Sequence, residues 1–206
     1  KDEWLKSASW WILNKEFWPL NKMEGVKLIE MAMNKGSEEA LFHYADFLFN
    51  GIGIDENLDD SIKYYKLAIE KGNPIAICKY ANYLFEGQKI LKNVEEAIKY
   101  YKIAIEKENP DAMFKLASIY NYGDGVEVDK TMALKYYKMA CEKGNFEAAQ
   151  IIGEFYEYGI GTEENLQEAA KYYKIAADGG LPNSMCCYAK MLMYGSGVEV
   201  NTKEAR

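Results

Sequence analysis

The tripeptide Tyr-Tyr-Lys occurs four times in this chain, beginning at Tyr64, Tyr100, Tyr136 and Tyr172, and successive copies are always 36 residues apart. A fixed period of this length is typical of stacked repeats, in which each unit packs only on its neighbours. The sequence therefore predicts an array of similar units, which favours a binding scaffold over a fold built around one catalytic pocket.

The tripeptide lies in a predicted helix, here called helix B, that recurs in every unit. An Asn or Asp precedes each helix, and in all but one unit an acidic residue follows three positions later, as in a capping box. The capping residues are Asn21, Asn57, Asn93, Asp129, Asn165 and Asn201. Helix B should therefore begin near residues 22, 58, 94, 130, 166 and 202 and end near a glycine. Glu108 replaces that glycine in one unit, so we expect its turn to be less well formed.

Small residues seven positions apart mark one face of helix B, as at Ala97 and Ala104. Because positions i and i+7 share a helix face, this stripe predicts the close approach of a second helix. That helix, here called helix A, follows each turn, with a proline near its start at Pro74, Pro110 and Pro182. Helix A ends in a Gly-x-Gly turn, of which one copy is degenerate, at Gly87 and Lys89.

These residues resemble the Sel1-like repeat, a relative of the tetratricopeptide repeat. The closest match runs from Ile152–Tyr156 through the turn at Gly161 to the small residues at Ala169 and Ala177, and the likeness covers residues 21–206. The resemblance implies an all-α fold, a right-handed α/α superhelical solenoid of about six helix-pair units. A tetratricopeptide unit is typically 34 residues long, and the two extra residues here fit the longer Gly-x-Gly turn.

The two ends of the chain depart from the repeat. Residues 1–20 align more loosely at the same period and contain extra tryptophans at Trp10, Trp11 and Trp18. We expect a degenerate first helix there, which is either an N-terminal cap or a contact surface for an upstream segment. Arg206 falls a few residues into a sixth B helix, so we expect the last repeat to be truncated and the natural protein to continue.

Composition narrows the class of protein. The 206 residues have a formal net charge of −7 and are 49% apolar, which suits a continuous core and disfavours binding to nucleic-acid phosphates. No apolar run approaches the roughly 18 residues of a membrane span. The four cysteines share no CxxC spacing, which favours free thiols in a reducing, cytoplasmic setting. Because the native N-terminus is not seen, the lumen of the endoplasmic reticulum stays open as an alternative.

The resemblance does not extend to the secreted, cysteine-rich members of the family. Those proteins form a disulfide in each repeat, between a Cys after the helix B alanine and a Cys just before the Leu-Gly motif. Here Cys141 fills the first position, but Ala149 fills the second. Neither that disulfide pattern nor an activity attached to that subfamily is expected.

No residue pattern points to catalysis, a metal or a cofactor. His43 is the only histidine. Acidic pairs such as Asp59 and Asp60 lie at the start of helix B, where carboxylates stabilise the helix dipole. The Gly-x-Gly turns lack the further residues of a dinucleotide or phosphate loop. Lysines three apart on helix B, such as Lys171 and Lys174, are best explained as a solvated face. We therefore predict a non-enzymatic protein.

The resemblance places partner binding on helix A, which lines the concave groove of tetratricopeptide proteins. Positions of helix A outside the repeat signature are then the candidate contacts. They are Phe42, Asp46 and Phe49; Cys78, Asn82 and Phe85; Phe114, Ser118 and Asn121; Gln150, Glu154 and Glu157; and Cys186, Lys190 and Met193. An apolar track of phenylalanines followed by acidic residues fits a peptide with hydrophobic anchors and a basic end.

We therefore expect an adaptor that holds a protein partner, peptide or domain, in this groove without inserting into a membrane. An alternative is that the array is the regulatory or substrate-docking region of a larger enzyme, since Sel1-like repeats are known beside kinase domains and in ubiquitin-ligase and endoplasmic-reticulum degradation complexes. Stacking of copies of this chain through exposed repeat ends is a third hypothesis.

Overall fold

The computed structural model describes residues 22–205. In this range it contains ten α-helices, each 13 residues long, and no β-strand. The B helices are α1 (Lys22–Asn34), α3 (Leu58–Glu70), α5 (Val94–Glu106), α7 (Lys130–Glu142) and α9 (Leu166–Asp178). The A helices are α2 (Glu38–Asn50), α4 (Pro74–Glu86), α6 (Pro110–Tyr122), α8 (Phe146–Tyr158) and α10 (Pro182–Tyr194). The chain is thus an all-α repeat solenoid, as predicted.

The five described B helices begin at the predicted residues, and in α3, α7 and α9 the preceding Asn or Asp caps the helix through a local hydrogen bond. Asn57 accepts a hydrogen bond from the Asp60 backbone N–H (3.1 Å), and Asp129 does the same for Met132 (2.8 Å). Asn201 accepts in the same way from Glu204, and residues 202–205 form a turn. The predicted N-terminal cap lies outside the described residues.

The A helices have caps that the sequence reasoning missed. Asn73, Asn109 and Asn145 each accept from the backbone N–H three residues later, at 2.8–3.0 Å, and Ser37 does so at 3.3 Å. A cap of this kind stabilises a helix by about 1 kcal/mol. In each of the first four described helix pairs, a side-chain hydrogen bond therefore caps the N-terminus of helix A.

The turn at Glu108 is fully formed, so the expectation of a weaker turn is wrong. Glu108 adopts φ 60, the same left-handed region as its glycine counterparts. Its N–H donates to the Ile105 carbonyl (2.8 Å), as the N–H of Gly36 does to Met33 in the first unit. An L-residue can take this conformation at a cost of roughly 1–2 kcal/mol, and the Glu108 carboxylate pairs with Lys143 at 2.9 Å.

The degenerate Gly-x-Gly turn is also formed. Lys89 takes φ 58 where other repeats have glycine. Its ammonium donates to the Phe49 carbonyl (2.8 Å) and to Glu56 Oε2 (2.6 Å). The lysine therefore holds the turn through its side chain, which a glycine could not do.

The core repeats the same contacts from unit to unit. The small stripe of helix B is completely buried in α3, α5, α7 and α9, and only in α1 is it half-buried. The second tyrosine of each Tyr-Tyr-Lys is buried too, at Tyr65, Tyr101, Tyr137 and Tyr173. Close packing beside one of these rings explains Gly153, because a Cβ there would lie 2.8 Å from the Tyr173 ring.

The chain divides into two compact units at Asn93 and Val94. The first unit contains α1–α4, and the second contains α5–α10. In each unit, a helix A packs against the B helices that precede and follow it in that unit. All four cysteines are free. None of the helices in residues 22–205 is long and apolar enough to cross a membrane.

Candidate interaction surfaces

The candidate contact residues all lie on A helices, as predicted. They form two surfaces, which we treat separately. The first-unit surface lies on α2 and α4, and the second-unit surface lies on α6, α8 and α10. In each helix the candidates sit at positions i, i+4 and i+7, which share one face. The structure shows which of these side chains are open to solvent and which are used by the fold.

Asp46 is the centre of the first-unit surface. Its Oδ1 accepts hydrogen bonds from the hydroxyls of Tyr65 (2.8 Å) and Tyr83 (3.1 Å), and it pairs with Lys79 Nζ at 2.7 Å. Charge-assisted bonds of this kind are the stronger ones in proteins. Asp46 therefore links α2, α3 and α4, and much of its hydrogen-bonding capacity serves its own chain.

The tyrosines around Asp46 are held in the protonated form. Burial, together with the Asp46 carboxylate, raises the pKa of Tyr83 to about 12. The same two causes, burial first, raise the pKa of Tyr65 still further. Both hydroxyls therefore remain hydrogen-bond donors over the whole physiological range.

Two of the predicted anchors are part of the packing. Phe42 is 7% exposed and Phe49 is 2% exposed. The Phe49 ring stacks on Tyr83 with 3.8 Å between centroids. Cys78 is buried as well, whereas Asn82 and Phe85 are half-buried. The apolar track predicted from the sequence is thus closed to solvent at Phe42 and Phe49.

Lysines of the same chain cover the phenylalanines of the first-unit surface. Lys79 Nζ lies 5.6 Å from the centroid of Phe42, and Lys89 Nζ lies 5.3 Å from that of Phe49. Lys92 Nζ lies 5.3 Å from Phe85. At these distances an ammonium is attracted to the face of the ring. The first-unit surface therefore presents lysines over aromatic rings.

On α6 the three candidates also contact their own chain. Phe114 packs on Tyr137 with 5.5 Å between centroids, and Ser118 shares a 3.1 Å hydrogen bond with the Tyr137 hydroxyl. Asn121 is buried, and its Oδ1 accepts from Lys130 Nζ at 2.8 Å. Ser118 and Phe114 remain half-buried, so this helix offers only part of its predicted contacts to a partner.

The α8 candidates are acidic and half-buried. Glu157 Oε2 accepts from the Tyr173 hydroxyl at 2.5 Å, and Glu154 Oε1 accepts from Gln150 Nε2 at 3.3 Å. Gln150 in turn accepts from Ser184 on α10 at 3.2 Å. The two carboxylates are thus held in place by neighbours while keeping part of their surface in water. On α10, the predicted contacts Cys186, Lys190 and Met193 are exposed.

Sequence reasoning missed the most exposed aromatic side chains on the A helices. Tyr122, Tyr158 and Tyr194 end α6, α8 and α10 and are 69%, 67% and 76% exposed. They are 36 residues apart, immediately before the Gly-x-Gly turn. That spacing was the available signal, but the position falls outside the face that the family motif suggested. We call these three residues the tyrosine row.

The described residues contain no group of three or more His, Cys, Asp or Glu side chains that could hold a metal ion. Burial lowers the pKa of His43, although Glu39 and Asp46 act in the opposite direction. His43 is therefore mainly neutral near pH 7 and packs against Phe42 with 4.8 Å between ring centroids. Its environment is that of a half-buried structural histidine.

The Sel1 repeat family matches this chain in five consecutive segments, residues 38–73, 74–109, 110–145, 147–181 and 182–206. Each complete segment spans one helix A and the helix B that follows it. The matches cover both surfaces and the tyrosine row. No curated protein matches the chain.

Solved structures show the same fold. A protective antigen of uropathogenic Escherichia coli that displays an SLR fold is 25% identical with a TM-score of 0.81, covering 90% of this chain. The chain spans only 40% of that antigen. A Sel1 repeat protein from Oxalobacter formigenes is 28% identical with a TM-score of 0.78, covering 90% of this chain and 76% of its own. The immunity protein Pa5087 from Pseudomonas aeruginosa, at 21% identity and a TM-score of 0.59, shares the fold over 93% of this chain and 70% of its own.

Proposed function

Because this chain belongs to the Sel1 repeat family, we propose that it is a scaffold that holds a protein partner against its A helices. Sel1-repeat proteins generally act as protein-interaction scaffolds and are generally non-catalytic. Beyond this general role, we propose which surface the partner contacts. The proposal places the contacts at the tyrosine row and at the side chains of the second-unit surface beside it.

The tyrosine row is the observation that supports this choice. Large aromatic side chains at interfaces contribute much of the binding free energy. Three of them stand at least two-thirds exposed at one repeat position, where they bury little of their surface within the chain. The second tyrosine of each Tyr-Tyr-Lys, by contrast, is fully buried. The same residue type therefore serves the core at one position and is left for a partner at another.

The test compares two double variants as bait in affinity capture from the source cell. The first, Tyr122→Ala with Tyr194→Ala, removes two rings of the row. The control, Lys135→Ala with Lys171→Ala, changes two exposed residues of helix B. A partner should be retained by the wild type and the control and lost with the tyrosine variant.

Equal capture by all three baits would contradict the proposed surface. Loss with the lysine control alone would move binding to the B helices. Since the replaced side chains are all exposed, melting temperatures of the three baits should agree, and this agreement separates lost binding from lost folding.

A further inference from the structure

Among the described repeats, the position of the tyrosine row is aromatic only in the second unit. In the first unit the same position of helix A holds Asn50 and Glu86, so an aromatic residue is not required there by the repeat. A row of exposed rings in the second unit is therefore a feature of that surface and not of the fold.

The chain itself shows what the aromatic rings of its A helices bind. In the first unit, lysine ammonium groups cover Phe42, Phe49 and Phe85 at 5.3–5.6 Å. In the second unit the lysine contacts on A helices are made with Tyr156 and Tyr188, outside the tyrosine row. Within residues 22–205, no cation is found over the rings of the tyrosine row. The row thus offers rings of the kind that lysines cover elsewhere, without the lysine.

Charge favours a cation from outside at the middle ring. Tyr158 lies one helical turn after Glu154, so these two side chains are neighbours on α8, and Glu157 directly precedes Tyr158. The Glu157 carboxylate is the main cause that raises the pKa of Tyr158, with Glu154 contributing. The two outer helices carry exposed lysines instead, Lys115 on α6 and Lys190 on α10. Negative charge is therefore concentrated at Tyr158.

We propose that the second-unit surface binds a lysine or arginine side chain of a basic peptide segment over the ring of Tyr158, with Glu154 and Glu157 as its counter-charges. Tyr122 and Tyr194 then contact the residues that flank this side chain. A cation between an aromatic face and carboxylates gains from both interactions. An acidic segment would meet repulsion from the two glutamates. The proposal rests on the scaffold function and specifies the chemistry of its partner.

The direct test uses two blocked pentapeptides, one with two arginines separated by glycine and one with two glutamates in the same places. Each is titrated into the full chain while the tyrosine ring resonances are followed by NMR. We expect the arginine peptide to shift the Tyr158 resonances in a saturable manner at millimolar concentrations, and the glutamate peptide to leave them unchanged. Equal shifts with both peptides, or none with the arginine peptide, would overturn the proposal.

Two variants and one control sharpen the test. Tyr158→Ala should weaken binding of the arginine peptide about threefold to tenfold. Glu154→Gln with Glu157→Gln should do the same, and glutamine at position 157 can still accept from the Tyr173 hydroxyl. Glu163→Gln with Glu164→Gln changes the net charge equally at two exposed residues and should have little effect. An equal loss with this control would mean that only overall charge matters, which would contradict the site.

The same variants separate this inference from the scaffold function. If a protein partner is lost with the Tyr122 and Tyr194 variant but retained by the Glu154 and Glu157 variant, the scaffold stands and the cation site is wrong. If a partner is captured equally by every bait while the arginine peptide still binds at Tyr158, the cation site stands and the proposed partner surface is wrong.

Discussion

At the scale of single residues, Gly179 and Phe146 form a pair that the other repeats lack. A Cβ on Gly179 would lie 2.2 Å from Phe146 Cγ. The residues that correspond to this pair one repeat earlier are Lys143 and Pro110. An aromatic ring at position 146 thus favours glycine at position 179, although the backbone there, with φ −75°, suits any residue.

We expect the effect of Gly179→Ala to change sign with its neighbour. In the wild type it should lower the free energy of unfolding by about 1–2 kcal/mol, because the ring must move. With Phe146→Ala already present, the same change should raise it by about 0.5 kcal/mol, because alanine restricts the unfolded chain more than glycine does. Urea unfolding of the four proteins measures both values. Additive effects would show that the two residues do not compete for space.

The two described turns that have a non-glycine residue with positive φ should respond in opposite ways to glycine substitution. Glu108 and Lys89 share left-handed φ values, but only the lysine side chain bonds a helix-end carbonyl. Glu108→Gly should therefore raise the free energy of unfolding by about 0.5 kcal/mol, since relief of strain exceeds the loss of an exposed ion pair. Lys89→Gly should lower it by about 1 kcal/mol. Thermal unfolding of each variant against the wild type gives the two signs, and equal signs would contradict this account.

Alkaline pH should destabilise the folded chain through the buried hydroxyl of Tyr83. The folded chain raises the pKa of Tyr83 from 10.0 to about 12, so the folded state holds its proton where the unfolded state loses it. Stability from this group is fully present below pH 10 and falls as the pH rises from about 10 to 12. Tyr83→Phe should flatten this fall by the equivalent of one proton. The free energy of unfolding measured across this range, with phenolate absorbance, tests it, and an unchanged slope would be contrary to expectation.

At the scale of the helix, the small stripe of helix B sets how closely its neighbours pack. Ala104 in α5 is fully buried, whereas Lys102 in the same helix is exposed. Ala104→Glu would bury an unpaired charge and should destabilise the second unit by more than about 4 kcal/mol. Lys102→Glu is the matched control and should change stability by less than about 0.5 kcal/mol. Circular dichroism during heating distinguishes them, and a folded, cooperative Ala104→Glu variant would show that this face is not tightly packed.

The helix boundaries could be predicted from the sequence, but the side chains that are exposed to solvent could not. Asn57 and Asp129 fix the starts of α3 and α7 through bonds to residues three positions away, which a sequence shows directly. Whether a ring on helix A is open depends on helices distant in sequence. Phe49 is buried because Tyr83 stacks on it 34 positions later, whereas Tyr158 is 67% exposed. The family motif identifies the helix but not these contacts.

At the scale of the whole chain, the two units differ in the number of helix pairs they contain. They therefore differ in how much apolar surface each can bury by itself. The second unit contains three helix pairs and has its own clusters of buried residues, one around Tyr137 and Ile152 and another around Tyr173 and Met191. The first unit has two described pairs and a smaller cluster of buried residues around Val26 and Phe47. Because each repeat buries its apolar face only against a neighbour, about three repeats are needed for stable folding.

We therefore expect the fragment 94–206 to fold by itself, and the fragment 22–93 to be much less stable. Helical circular dichroism and a cooperative urea transition would identify a folded second unit, and its tyrosine row should then bind the arginine peptide with the affinity of the full chain. The relevant comparison is Ala104→Glu within fragment 94–206, which should abolish the transition because Ala104 is buried in this unit. An unfolded wild-type fragment would mean that its three helix pairs cannot supply a sufficient core, and the nearest-neighbour account of this solenoid would then be wrong.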